Sequence, residues 1–361
     1  MNNFILFYFL PTVTAFALSF LFTKLVHRLA IRWQIVDRPG ERKVHERPIP
    51  LLGGWGIFLS LLVSVILFID LANFGSLQIK NIVGFLLAAF ILMIGGFLDD
   101  KYNLRPRWQI LFPLLACLVV ISSGIGIKFI SNPWGGLIHL DQWKILLFWW
   151  QGVPYYFSVW SDIFSFIWLI SMTYVTKLLD GLDGLATGIG LIGSVIIFVV
   201  SIFWDISYSV TSLLSLISAG ALAGFLLWNF YPAKIFLGEG GSTLIGFVLG
   251  VLSIISGGKI ATALLVMGLP ILDVVWIIIR RLFWEKHSFA QADDKHLHHR
   301  LLRIGLSQRQ VVFLFYTLTT IFGISSIFFE TKGKILIIST ELVIMILLAL
   351  YLINRDKKHA V

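Results

Sequence analysis

The stretch Thr176–Gly188, TKLLDGLDGLATG, places Asp180 and Asp183 three residues apart, each followed by glycine, with Lys177 three residues before the first. On a helix that spacing puts both carboxylates on one face, where they could hold a divalent cation. Asp-Gly pairs are equally at home in turns and helix caps. Four other stretches carry comparable chemistry. GGFLDDKYNLRPRW ends an apolar run with Asp99 and Asp100. Two acids at a helix C-terminus oppose the macrodipole and raise each other's proton affinity, which points to a cation partner or a base. GEGGS, Gly238–Ser242, offers Glu239 and a row of backbone N–H groups at a helix start, a ready anion site. Its plain reading is a tight turn with Ser242 as N-cap. DDKHLHHRLL supplies His296, His298, His299 and Arg300. Clustered histidines suggest zinc. No helical i, i+4 histidine pair is present, however, and Lys295, Arg300 and Arg303 stand alongside, so phosphate suits the run better. A basic loop for lipid headgroups is the competing reading. The fifth stretch, RKVHERPIPLLGGWG, carries Lys43 and His45.

The elements that must position these residues are membrane helices. The chain has 361 residues, 58% hydrophobic and only 13% charged, and a mean hydropathy of +0.91. A soluble domain is nearer half apolar and a quarter charged, so the composition is that of an integral membrane protein. Eleven apolar runs have the length a crossing helix needs: about 3–22, 52–71, 82–98, 108–127, 160–179, 185–204, 209–229, 242–257, 260–281, 310–329 and 334–353. The expected fold is an all-α integral membrane protein, one polytopic domain over 1–361. The first run lacks a basic n-region and is too long for a cleavable signal. Basic residues after it predict an outer N-terminus and, with an odd number of spans, an inner C-terminus. Of 28 Lys and Arg, six (Lys80, Lys128, Lys144, Lys259, Lys332 and Lys334) fall on the outer side of that topology. The remaining 22 fall inside, the bias the positive-inside rule requires.

The net charge of +9 is therefore mostly a topology signal. The basic residues are divided among loops and form no single stripe, which excludes nucleic acid as a partner. The lone cysteine, Cys117, forbids an intrachain disulfide. The outer stretch 128–159, rich in Trp and Tyr, reads as interfacial. Within the spans, Asp162 and Glu341 fall near outer ends, where water can reach them. Asp273 lies deeper and is read as supporting the inner site or pairing within the bundle.

All five chemistry-bearing stretches fall on the inner side. Carboxylates for a metal, and glycine turns, basic groups and histidines for phosphates, fit a membrane enzyme that handles a phosphorylated lipid and a soluble phosphate ester. A transporter would place its polar groups near the midplane, on broken helices in matching halves. Their position at one surface ranks transport well below.

Five such motifs in this order, from DRPGERKVHERPIPLLGG to HLHHRLLRIGLSQRQ, resemble the polyprenyl-phosphate N-acetylhexosamine-1-phosphate transferases. These enzymes begin teichoic-acid, O-antigen and common-antigen assembly, and the superfamily also contains the peptidoglycan translocase. The resemblance implies transfer of a sugar 1-phosphate from a UDP-sugar to undecaprenyl phosphate at the cytoplasmic face of a bacterial plasma membrane. UMP is released, and the cofactor is Mg²⁺, with Mn²⁺ as a substitute. By motif, Asp99 and Asp100 match a pair implicated in metal binding or in activating the lipid phosphate. Asp180 and Asp183 match aspartates near the diphosphate, and Glu239 falls at a metal-binding position, with Asp183 as its expected companion. Lys43, His45, Lys177, Ser242, His296, His298, His299 and Arg300 are the implied substrate-binding set. HLHHRL looks like the teichoic-acid and common-antigen initiators, which shifts the expected sugar to N-acetylglucosamine. Two departures stand out. GEGGS replaces the family's GDxGS, and Tyr174 and Lys177 replace asparagines. An active transferase with an adjusted site is the leading expectation, and a non-catalytic relative that binds the lipid phosphate is the second.

Overall fold

The computed structural model describes residues 5–39, 47–150, 153–257, 259–281 and 296–359. A π-helical turn, Ile5–Phe9, leads into α1, Leu10–Arg32. Then come α2 Gly53–Phe68, α3 Ile79–Tyr102, α4 Pro106–Gln109 and α5 Leu111–Ser122. Next are α6 Val159–Leu179, α7 Leu185–Trp204, α8 Val210–Asn229 and α9 Gly238–Ile255. The chain closes with α10 Ile260–Val266, α11 Gly268–Arg280, α12 Leu297–Arg303, α13 Gln308–Phe328 and α14 Thr331–His359.

Among the described residues, eight helices are long and apolar enough to cross a membrane, or nine if one bent pair counts as a single span. Eleven full crossings are not all found among the described residues. The run at 108–127 yields only the short helices α4 and α5, because Pro106 opens a new helix after the turn that follows α3. The run at 260–281 is broken at Met267, where α10 and α11 meet at 77°. Pro270 can donate no backbone hydrogen bond there. Glu341 of α14 lies at the break, 1% exposed, with its carboxylate taking the Leu269 N–H. The residue read as a solvated outer acid thus serves the start of α11 inside the bundle. The run at 334–353 lies within α14. Asp162 instead accepts from the Ser158 N–H at 2.8 Å, at the start of α6.

The chain is also not purely helical. Three two-stranded antiparallel sheets are present among the described residues. β1 Val36–Asp37 pairs with β2 Ile49–Pro50 on the motif side. In the aromatic stretch, β3 Phe129–Ser131 pairs with β4 Leu137–His139, and β5 Lys144–Trp150 with β6 Val153–Ser158. Runs of β-branched and aromatic residues beside turn glycines favour strands. Their apolar content has no helical length to fill.

At the centre stands α9. Its residues from Gly240 to Ile254 are all buried, as expected of a helix apolar on every side. It packs against α6, α3, α2 and α7. Its first turn is approached by two backbones at once. A side chain on Gly96 of α3 would collide with Gly240, and one on Gly54 of α2 would collide with Gly241. Small residues permit this approach, and it draws the ends of α2 and α3 onto the residues flanking Glu239.

Candidate active site

The residue before α9 is held from two sides. Gly53 N–H donates to Phe236 O and Gly54 N–H to Leu237 O, each at 2.9 Å, while Phe236 N–H donates to Pro50 O at 2.9 Å. The segment before α9 is therefore stitched to the segment before α2. The helix starts at Gly238, with Glu239 in the first turn. Ser242 is not its N-cap. Its buried hydroxyl donates within its own helix, to Gly238 O and Glu239 O at 3.2 Å.

Asp100 reaches this point from the last turn of α3. Its Oδ1 accepts the Glu239 N–H at 3.0 Å. The sequence reading gave the acid pair a cation partner because carboxylates at a helix C-terminus are unfavourable. For Asp100, the positive N-terminus of a second helix fills that role. Asp99 points elsewhere. Its Oδ1 accepts from Leu104 N–H at 2.8 Å and from Gln109 Nε2 at 2.9 Å, which fixes the turn between α3 and α4.

Asp180 and Asp183 are not on one helical face. α6 ends at Leu179, Asp180 is its C-cap, and Asp183 follows in the turn that leads to α7. The two glycines and the turn geometry win over helical continuation, and Gly184 sits at φ +79°. Tyr316 of α13 locks the turn by donating to Gly184 O at 2.5 Å. Asp183 Oδ2 accepts the Ala233 N–H at 2.9 Å and so anchors the segment that precedes α9. Burial pushes the Asp180 carboxyl up to about 7, and the charges of Glu239 and Asp183 add to the effect. Asp100 also lies within electrostatic reach of Asp99, Asp180 and Glu239.

Lys177, in the last turn of α6, meets Glu239 directly, with Nζ to Oε1 at 2.5 Å. It also donates to Gln109 Oε1 at 3.4 Å.

The histidine run forms the start of α12. His296 precedes the helix, with Nδ1 2.8 Å from Asp273 Oδ2, and Asp273 Oδ1 accepts the Leu297 N–H at 3.0 Å. His298 is 1% exposed, with no hydrogen-bond partner at either ring nitrogen among the described residues. It stacks on His296, with ring centroids 5.6 Å apart, and lies near His299 at 4.3 Å. Burial and those two rings hold its basicity well below the usual range, so the ring is neutral at physiological pH. Its Nε2 packs onto Gly181, where any side chain would collide with it. The glycine between the two aspartates is required because an imidazole sits on it. Arg300, two residues further on, is also buried. Lys43 and His45 lie outside the described residues.

The structure thus brings Asp99, Asp100, Lys177, Asp180, Asp183, Glu239 and His298 to one end of the bundle. Residues 82–257 match the family described as Glycosyl transferase family 4. A probable undecaprenyl-phosphate N-acetylglucosaminyl 1-phosphate transferase of Bacillus subtilis (strain 168) is 33% identical over 325 residues, covering 87% of this chain and 84% of that protein. The chain belongs to glycosyl transferase family 4. A decaprenyl-phosphate N-acetylglucosaminephosphotransferase of Mycobacterium tuberculosis (strain ATCC 25618 / H37Rv) is 33% identical, covering 89% of this chain and 82% of that one. An undecaprenyl-phosphate alpha-N-acetylglucosaminyl 1-phosphate transferase of Thermotoga maritima is 28% identical, covering 86% and 89%.

Two residues of this family 4 chain were not marked as site residues from the sequence. Gln109 is a single amide at the start of an apolar run, and only the fold carries it between Asp99 and Lys177. Asp273 did stand out as an expensive acid inside a span, and the structure shows it gripping the histidine run. Asp273 and Arg300 also line a cavity of about 190 Å³, whose other lining residues are apolar and include Trp276, Ile279, Leu342 and Met345.

Among the described residues, no three His, Cys, Asp or Glu side chains converge as a ready cage. Mg²⁺ does not require one, because it keeps several waters and is usually held by one or two carboxylates and substrate phosphates. The coupled carboxylates supply hard oxygen donors of that kind, so the donor chemistry fits.

Asp180 gives a test of the cluster's charge. Its proton is held more tightly in the folded chain than at the free value of 3.8. The resulting stability is complete in acid and is lost as pH rises from about 4 to 7. Asp180→Asn should therefore flatten the fall in thermal midpoint of the metal-free protein over that window. A variant that loses stability as steeply as wild type would assign the effect to another group.

Proposed function

We propose that this chain transfers N-acetylglucosamine 1-phosphate from UDP-GlcNAc to undecaprenyl phosphate or a similar polyprenyl phosphate, releasing UMP and starting a lipid-linked surface glycan. The observation that carries the reading is the assembly of the four described motifs into one cluster, in a family whose named relatives act on polyprenyl phosphates. The enzyme is a sugar-1-phosphate transferase embedded in a bacterial plasma membrane.

The residues divide the work. Asp180, with a proton affinity near neutrality, suits the acceptance of a proton from the lipid phosphate, since a base works best near the operating pH. The freed lipid oxygen attacks the sugar-linked phosphorus, the diphosphate bond breaks, and UMP leaves. Asp100 and Asp99 are positioning residues here, because their recorded partners hold α9 and the α3–α4 turn. Neutral His298, with Arg300 behind it, faces the aspartate turn and offers an N–H to a phosphate or sugar oxygen. Glu239 and Asp183 would hold Mg²⁺ or Mn²⁺. That ion, when bound, neutralises charge on the diphosphate.

The assay is UMP release from a panel of UDP-sugars with undecaprenyl phosphate and Mg²⁺. Asp180→Asn should lower turnover by about a hundredfold or more, with membrane insertion intact. Wild-type turnover in that variant would remove Asp180 as the base. No UMP from any sugar nucleotide would leave the second reading, a non-catalytic relative, which the grip of Lys177 on Glu239 favours.

The bias of basic residues supports placing this end of the bundle in the cytoplasm, with the N-terminus outside and the C-terminus inside. A reporter fused within 282–295 should read as cytoplasmic, and an external signal would invert the topology. The apolar cavity beside Asp273 and Arg300 suits the acceptor's isoprenoid tail. Met345→Trp, which fills it, should raise KM for the long-chain acceptor several-fold, by about 1 kcal/mol, without changing KM for UDP-GlcNAc. An unchanged acceptor KM would place the tail elsewhere.

A further inference from the structure

The two departures from the family pattern, Lys177 and Glu239, touch each other. The ammonium and carboxylate are 2.5 Å apart, with side chains 23% and 18% exposed. A pair this sheltered is little screened by solvent. The geometry on either side holds the ammonium in place. Gln109 accepts from Lys177 Nζ through Oε1, while its Nε2 donates to Asp99 Oδ1 and to Leu104 O. The Tyr174 ring lies 5.7 Å from the ammonium. Tyr174 therefore faces the charge that Lys177 carries. α6 and α9 are pressed together behind it, since a side chain on Gly246 would collide with Met172 O. With that spacing fixed, the extra methylene of a glutamate at 239 lets its carboxylate extend to the lysine.

We propose that Lys177 is a resident counter-ion that competes with the divalent cation for the Glu239 carboxylate, and that Gln109 is the positioning residue that keeps it there. This rests on the transferase reading for the identity of the site, but not on turnover. A unit charge and a divalent ion cannot share one carboxylate oxygen without strong repulsion in a poorly solvated site. Occupation by one therefore excludes the other. When a cation arrives with a diphosphate, the displaced ammonium turns to the phosphate oxygens, and its charge is retained in the cluster. The site would then stay closed to free cation and open to the cation–diphosphate pair.

The test uses the full-length detergent-purified protein and Mn²⁺ alone, with free Mn²⁺ read by electron paramagnetic resonance. Lys177→Gln should bind Mn²⁺ about tenfold more tightly than wild type, and Lys177→Arg should stay near wild type. Gln109→Leu keeps the lysine and loosens its hold, so a gain of about threefold is expected. In a Glu239→Gln background the gain from Lys177→Gln should vanish. Equal or weaker Mn²⁺ binding in Lys177→Gln overturns the proposal, as does a gain that survives Glu239→Gln. If Lys177→Gln does not yield a monodisperse protein, Gln109→Leu decides, and an unchanged affinity there overturns the role of Gln109 and the latch with it. UMP release is scored separately. Competition without turnover would retain this inference and sink the transferase reading, and turnover without competition would do the reverse.

Discussion

The amide of Glu239 donates to the carboxylate of Asp100, and that bond joins the end of one membrane helix to the beginning of another. Each helix terminus has unsatisfied groups and a partial charge. A carboxylate at the C-terminus of α3 is unfavourable on its own helix and favourable at the N-terminus of α9. Because Gly96 and Gly54 let α3 and α2 lie against the first turn of α9, the join fixes where Glu239 can point. Lys177, Gln109 and Asp99 then follow from Glu239 and its neighbours, and Asp183 secures the segment that enters α9. The site is a junction of helix ends, and no single loop contains it.

Much of this was legible in the sequence, because membrane helices announce themselves by composition and the motifs fall at their ends. Eight of the expected spans correspond to long apolar helices. What local pattern could not reveal were features settled by contacts between distant segments. The break between α10 and α11 is met by Glu341, more than seventy residues downstream, and an acid in that position reads from sequence alone as exposed. The hairpins of 129–158 were hidden because aromatic, apolar stretches look alike as strands and as interfacial coil. The aspartate turn was ambiguous for a local reason. A spacing of three satisfies a helix and a turn equally; the glycines settle it as a turn, and His298 and Tyr316 pack onto it from elsewhere.

Lys177 and Glu239 gain meaning only as a pair. Along the chain, a lysine ahead of two aspartates and a glutamate at a helix start have nothing to do with each other. In three dimensions they are one ion pair, with charge and reach matched to each other. Neither residue alone is as easily accommodated. A half-buried lysine without the glutamate would lack a counter-charge, and the glutamate without the lysine would add one more anion to a crowded cluster.

Asp273 belongs to two places at once. It is part of the wall of the apolar cavity, and both of its oxygens hold the start of the histidine helix. Anything that shifts α11 when the cavity fills must also shift His296 and, through ring stacking, His298. Linkage runs both ways with equal magnitude. Whatever free energy an apolar occupant adds to the histidine arrangement, a ligand held by the histidines returns to that occupant. An apolar occupant of the cavity and a ligand of the histidines are in this way coupled through one carboxylate.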